Sequence, residues 1–164
     1  MCFKIKSGLY ERGKMNIIVK KFNELSTEEL YEILKARAEI FVVEQKCIYQ
    51  DLDDIDYKSV HFFYKEGKRI TAYLRAFPVD EDFNTIQMGR VLSIRHGKGM
   101  GRRLLEDSIN IIKKELNPKQ IVADVQKYAI GFYEKFGFVT TSDEFLEDGI
   151  PHVKMTCELQ YNMI

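Results

Sequence analysis

The chain has 164 residues, 45% hydrophobic and 30% charged, enough for one domain with a sizeable core. Its 25 basic and 25 acidic residues cancel to a formal net charge of zero, which argues against a nucleic-acid binder and leaves room for one local basic site. Three cysteines without paired spacing point to free thiols in a reducing compartment, the cytoplasm, and no apolar run reaches the ~18–20 residues of a membrane span.

Residues 1–14, MCFKIKSGLYERGK, lack the apolar stretch of a signal peptide and are expected to be a leader or a poorly ordered extension, with Met15 as an alternative start. Residues 15–164 are expected to form a single domain, because no repeat, low-complexity tract or proline-rich linker divides them. NIIVKKF (16–22) is a predicted strand. Ser26 followed by Glu29 forms a capping box, so a helix starts there, with Leu30, Ile33, Leu34, Ile40 and Phe41 as its buried face. Arg37 interrupts that stripe, and a buried arginine needs partners. Glu44 follows seven residues later on the same face, as that partner or as a general base.

Residues 48–59, IYQDLDDIDYKS, form an acidic loop. A calcium loop starting at Asp51 fails, since it needs glycine sixth and glutamate twelfth and finds Asp56 and Phe62. Residues 60–77 pair two β-rich runs around Glu66-Gly67-Lys68, and 85–94 give another strand. A helix then runs to about Leu116, with Leu105, Ile109, Ile112 and Leu116 in one stripe. QIVADVQ (120–126) is a short strand, and YAIGFYEKF (128–136) is a short helix ended by Gly137. Two last strands flank a turn at Asp148-Gly149. The order β-α-β-β-β-α-β-α-β-β is that of an α/β sheet with a hairpin-rich front half. Three scattered histidines and three scattered cysteines give no zinc pattern, so no metal is expected.

Before the second long helix stands RHGKGMG (95–101), followed by Arg102 and Arg103. Cations in a helix's first turn oppose its dipole unless a bound anion shares the spot. Alternating glycines let the backbone approach a ligand closely, so that several N–H groups converge on it. A pyrophosphate satisfies both observations, and the plainer alternative is a solvated turn. The Walker pattern fails for want of Gly-Lys-Ser/Thr, and the spacing G-x-G-x-G is not the dinucleotide fingerprint.

VLSIRHGKGMGRRLLED and the later AIGFYEKFGF resemble the acetyl-CoA-binding core of the GCN5-related N-acetyltransferase (GNAT) superfamily. LKARAEIFVVEQKCIYQDLDDID, MGRV and EDGIPHVKM are similar to its ElaA-type branch. The resemblance spans roughly residues 16–159. It implies a mixed, mostly antiparallel central sheet flanked by helices, and an acetyl-CoA-dependent N-acetyltransferase without a metal. His96, Gly97, Lys98, Gly99, Met100 and Gly101 match the family's pyrophosphate loop, with His96 where arginine or glutamine is usual, and Arg102 and Arg103 extend it. Val91 and Leu92 match the strand that touches pantetheine and supplies a backbone N–H to the carbonyl oxygen. Gln126 matches an asparagine that touches CoA, and Tyr133 the tyrosine that protonates the leaving thiolate.

Acetyl transfer to an amine also needs a proton acceptor, for which Glu44 and His61 are the candidates and His152 a further one. His152 is expected near the substrate, as another histidine able to titrate near neutrality. Arg37, Arg75 and Arg90 interrupt apolar segments and bind either a substrate carboxylate or structural carboxylates of the chain. The acceptor is then a primary amine of a small molecule or peptide, with no nucleic-acid or membrane partner, and a homodimer is admitted. Two alternatives remain: a non-catalytic CoA-binding regulatory module and an acyltransferase like the acyl-homoserine-lactone synthases.

Overall fold

The structure, a computed structural model, describes residues 5–12 and 15–159. Strands β1 (Gly8–Arg12) and β2 (Met15–Lys21) precede helix α1 (Thr27–Arg37), and β3 (Val60–Glu66), β4 (Arg69–Pro78) and β5 (Thr85–Ser93) follow it. Helix α2 (Met100–Leu116), β6 (Gln120–Gln126), α3 (Ile130–Glu134), β7 (Val139–Thr140), β8 (Phe145–Glu147) and β9 (Ile150–Glu158) complete the chain. The nine strands form one sheet in the order β1-β2-β3-β4-β5-β6-β9-β7, with β8 also on β9. Every pairing is antiparallel except β5 with β6. The α2 crossover is what allows that parallel pair.

Both faces of the sheet are covered, and strand alternation decides which side chain faces which layer. Ile17, Val19, Phe62, Tyr64 and Leu74 pack with Leu104, Leu105, Ile111 and Ile112 of α2 and with Tyr133. Their strand neighbours Ile18, Phe63 and Tyr73 pack with Ile33, Ala36 and Ile40 of the first helix. A register shift beside Tyr64 turns Ile70 to that second face. Each such buried side chain stabilises the fold by roughly 1.5–3 kcal/mol.

The capping box forms as the sequence predicts: Glu29 N–H donates to Ser26 Oγ at 3.1 Å, and Ser26 N–H to the Glu29 carboxylate at 2.9 Å. The Asp148-Gly149 turn forms too, both residues having positive φ, as a two-residue hairpin between β8 and β9 demands.

Three features depart from expectation. Gly8–Arg12 is a strand paired with β2, where a poorly ordered extension is expected from the sequence, and Ile5 is buried with the core. Residues 1–4, 13 and 14 of that segment lie outside the described residues. Helix α1 does not continue as an α-helix but widens over Ala38–Glu44, where Gln45 N–H reaches Ile40 C=O. The last segment makes three strands rather than two, because β7 and β8 pair with different stretches of β9.

Candidate active site

The site begins at a fault in the sheet. Arg75 pairs with Gly89 and Tyr73 with Leu92, so Arg90 and Val91 both lie opposite Leu74. Arg90 takes a positive φ of 55° to absorb the extra residue. On its other edge β5 pairs with β6 only from Thr85 to Met88. Past Met88 the two parallel strands separate, and a cleft of about 470 Å³ opens between them. Val91, Leu92 and Ser93 form one wall; Val125, Gln126, Phe132 and Tyr133 form the other.

Beyond β5 the chain enters the glycine loop. Gly97 and Gly99 have φ of 72° and 74°, and a Cβ on either would meet no atom within 4 Å. Gly99 is the N-cap of α2, and no side chain caps the helix. The first intrahelical bond there is Arg103 N–H to Gly99 C=O. The amides of Met100, Gly101 and Arg102 thus begin a 17-residue helix with no carbonyl ahead of them. These residues fit an anionic group such as a pyrophosphate. Gly101 faces the cleft, while Gly99, Arg102 and Arg103 border an outer hollow of about 360 Å³. Arg103 lies over the Tyr64 ring and 3.8 Å from Asp107, which accepts the Tyr64 hydroxyl. Arg95 is engaged by Glu66 through two bonds.

Tyr133 is 7% exposed and meets the rings of Phe132 and Phe138 edge-on. Its hydroxyl makes no hydrogen bond among the described residues, and burial pushes its pKa up, so it carries its proton at neutral pH. Gln126 exchanges hydrogen bonds with Gln45, which bridges the cleft from the widened helix. Glu44 lines the cleft but does not pair with Arg37. The wider turn breaks the seven-residue repeat that would have kept them on one face, and Glu44 instead reaches His96 Nε2 at 3.0 Å.

The acidic loop takes up the inward arginines. Arg37, fully buried, donates to Asp51 and Asp56 at 2.8 Å each and to the Asp51 carbonyl. Arg75 bonds Asp53 and Asp56, and Arg90 bonds Asp51. Burial opposes ionisation of Asp53 and Asp56, yet the arginines beside them hold both below the usual aspartate range. Arg75 and Arg90 line the cleft already neutralised, and Arg37 does not line it. The sequence signal for this clasp was present in DLDDID, where three of the four aspartates, Asp51, Asp53 and Asp56, meet the three inward arginines.

His61 is also absent from the cleft wall. Strand alternation aims it at the α1 side, where Nδ1 meets the Tyr73 hydroxyl at 2.8 Å and Nε2 the Asp56 carbonyl at 3.2 Å. Burial lowers its pKa to about 4, so it stays neutral and both nitrogens are occupied. His152 does line the cleft: it pairs in register with Gln126 and stacks on Phe145. The sequence reading missed Gln45 and Asp124. Asp124 sits between Lys154 and Gln87, where a charged residue breaks an apolar strand.

Comparison with known proteins places this geometry. The chain matches the family described as Acetyltransferase (GNAT) domain over residues 22–159. A UPF0039 protein of Schizosaccharomyces pombe is 39% identical over 151 residues, 90% of this chain and 99% of that protein. The crystal structure of Escherichia coli ElaA superposes with a TM-score of 0.81 at 30% identity, covering 88% of this chain and 99% of that one. An acyl-CoA N-acyltransferase from Pseudomonas aeruginosa gives a TM-score of 0.80 at 31% identity, covering 86% and 98%.

Proposed function

The chain belongs to the GNAT acetyltransferase domain family, in the branch that contains ElaA, and from that membership we propose that it transfers an acetyl group from acetyl-CoA to a primary amine of a small molecule or peptide. Both substrates are bound together and the amine attacks directly. The observation that carries this reading is the cleft itself. A β-bulge and a parted pair of strands lead from the glycine loop at the N-terminus of α2 to a pocket bordered by Tyr133.

Acetyl-CoA supplies the acetyl group as a thioester. The amides of Gly99 to Arg102, helped by Lys98, Arg102 and Arg103, hold its pyrophosphate. Val91 and Leu92 lie beside the pantetheine arm, and a backbone N–H at the bulge holds the carbonyl oxygen of the acetyl group. Gln126 and Gln45 fix the arm's position. Tyr133 keeps a proton in a dry setting, ready for the sulfur as it leaves. On the acceptor side, Glu44, Glu147 and Asp148 border the cleft, whereas Arg75, Arg90 and Asp124 are each neutralised by a partner. That balance favours an amine arriving as its ammonium form over an acceptor that presents a carboxylate.

A panel of small primary amines and short peptides, incubated with acetyl-CoA and the purified protein, tests the reading. Acetylated product should appear, at rates that depend on both substrates with intersecting initial-velocity lines. Acetyl-CoA binding without product from any amine would leave a CoA-binding module instead.

A further inference from the structure

Resting on that acetyltransferase reading, we propose that His152 is the general base of the reaction and that Glu147 passes its proton to solvent. His152 Nδ1 lies 2.8 Å from the backbone carbonyl of Ile150. A carbonyl only accepts, so Nδ1 carries the hydrogen and the neutral ring presents its lone pair at Nε2. The ring is 7% exposed, yet it borders the same cleft as Tyr133. Its orientation is fixed three times over: by the Ile150 carbonyl, by stacking on Phe145 at 6.1 Å, and by its place opposite Gln126 in the β6–β9 ladder. The Glu147 carboxylate stands 3.7 Å from Nε2 and is half exposed, which gives an imidazolium both a counter-charge and a way out for its proton.

The other candidates lack such an arrangement. His61 has both nitrogens engaged outside the cleft. Glu44 is held by His96 beside the glycine loop. Other charged groups bordering the cleft with His152 are Asp148, Asp53 with Arg75 and Arg90, and Asp124, the last held by Lys154.

The protons balance. The ammonium gives one proton to Nε2 and regains its lone pair; the proton leaves through Glu147. The C–N bond then forms and the C–S bond breaks, while the thiolate takes the Tyr133 proton. The nitrogen's surplus proton follows through Nε2 and returns the tyrosine to its neutral form by way of solvent.

The test compares wild type, His152→Asn and Glu147→Gln. Asparagine keeps a donor for the Ile150 carbonyl, so the hairpin is preserved. Acetyl transfer is measured to 2-phenylethylamine, mostly ammonium near neutral pH, and to hydroxylamine, which is uncharged there. His152→Asn should cut kcat/KM for phenylethylamine by ~10²-fold or more, and for hydroxylamine by a far smaller factor. Glu147→Gln should lower kcat/KM for phenylethylamine more than for hydroxylamine, because the imidazolium then lacks its route to solvent. Nitrogen-15 NMR of the wild-type histidines, read without any acceptor, should show His152 as the Nδ1–H tautomer. The Nε2–H tautomer, or equal losses for both amines, overturns the proposal. Absence of transfer in wild type would count against the acetyltransferase reading, while the tautomer would still decide for or against His152.

Discussion

At the residue scale the roles divide by what burial does to each group. Tyr133 has a raised pKa because it is buried, with no hydrogen-bond acceptor for its hydroxyl among the described residues. On the proposed reading, that proton goes to the sulfur of the leaving thiolate. Tyr133→Phe keeps the edge contacts with Phe132 and Phe138 and removes only that proton. Turnover should fall ~10²-fold or more with acetyl-CoA affinity little changed; an equal rate in the phenylalanine variant would remove the tyrosine from the chemistry. Single residues were legible in the sequence where a motif fixed their surroundings: AIGFYEKFGF placed Tyr133, and the loop placed Gly99. His61 and His152 look alike in sequence, each in an apolar strand. Only the pairing register reveals that one faces Tyr73 and the other faces the cleft.

At the scale of elements, the two long helices and the hairpins follow from local signals. The Ser26–Glu29 box starts α1, Asp148-Gly149 closes the β8–β9 hairpin, and Gly137 with φ of 83° ends α3. The widened turn at Ala38–Glu44 has no such signature, because an i→i+5 bond costs one residue of phase and leaves composition unchanged. Its consequence is large: it turns Glu44 toward His96 and leaves Arg37 to the acidic loop. That loop has no regular structure over residues 48–54, yet Arg37, Arg75 and Arg90 clasp it through Asp51, Asp53 and Asp56. Removing one partner from such a buried cluster typically costs ~3–5 kcal/mol, because a desolvated charge is left unmatched. The arginines thus act first on the loop that borders the acceptor pocket.

For the whole molecule, the sheet with helices on both faces follows from the element order, whereas the first strand does not. Residues 8–12 have too little apolar alternation to announce a strand, and only pairing with β2 makes them one. Stability as a function of pH reports on the buried network as a unit. His61 titrates ordinarily at 6.5 but at about 4 in the folded chain. Above 6.5 the histidine is neutral in both states and costs nothing. As the pH falls from 6.5 to about 4, only the unfolded chain takes up the proton, and stability drops by about 3 kcal/mol. Urea unfolding across that range should show the decline, and His61→Gln should flatten it. A decline of the same size in the variant would trace it to other groups. Asp53 and Asp56, depressed below the aspartate value of 3.8, add a further loss only at lower pH.

Calorimetric titration of acetyl-CoA into wild type and Gly99→Asp tests whether the glycine loop and the parted strands form one acyl-CoA site. A Cβ at Gly99 would meet no atom within 4 Å, and aspartate tolerates the positive φ better than most residues, so the variant should fold, with only the modest loss of stability that the positive φ imposes. Its carboxylate would stand among the amides meant for the pyrophosphate. Wild type should bind acetyl-CoA and Gly99→Asp should give no binding heat. Equal affinity in the folded variant would contradict the account, because the phosphates would then lie elsewhere.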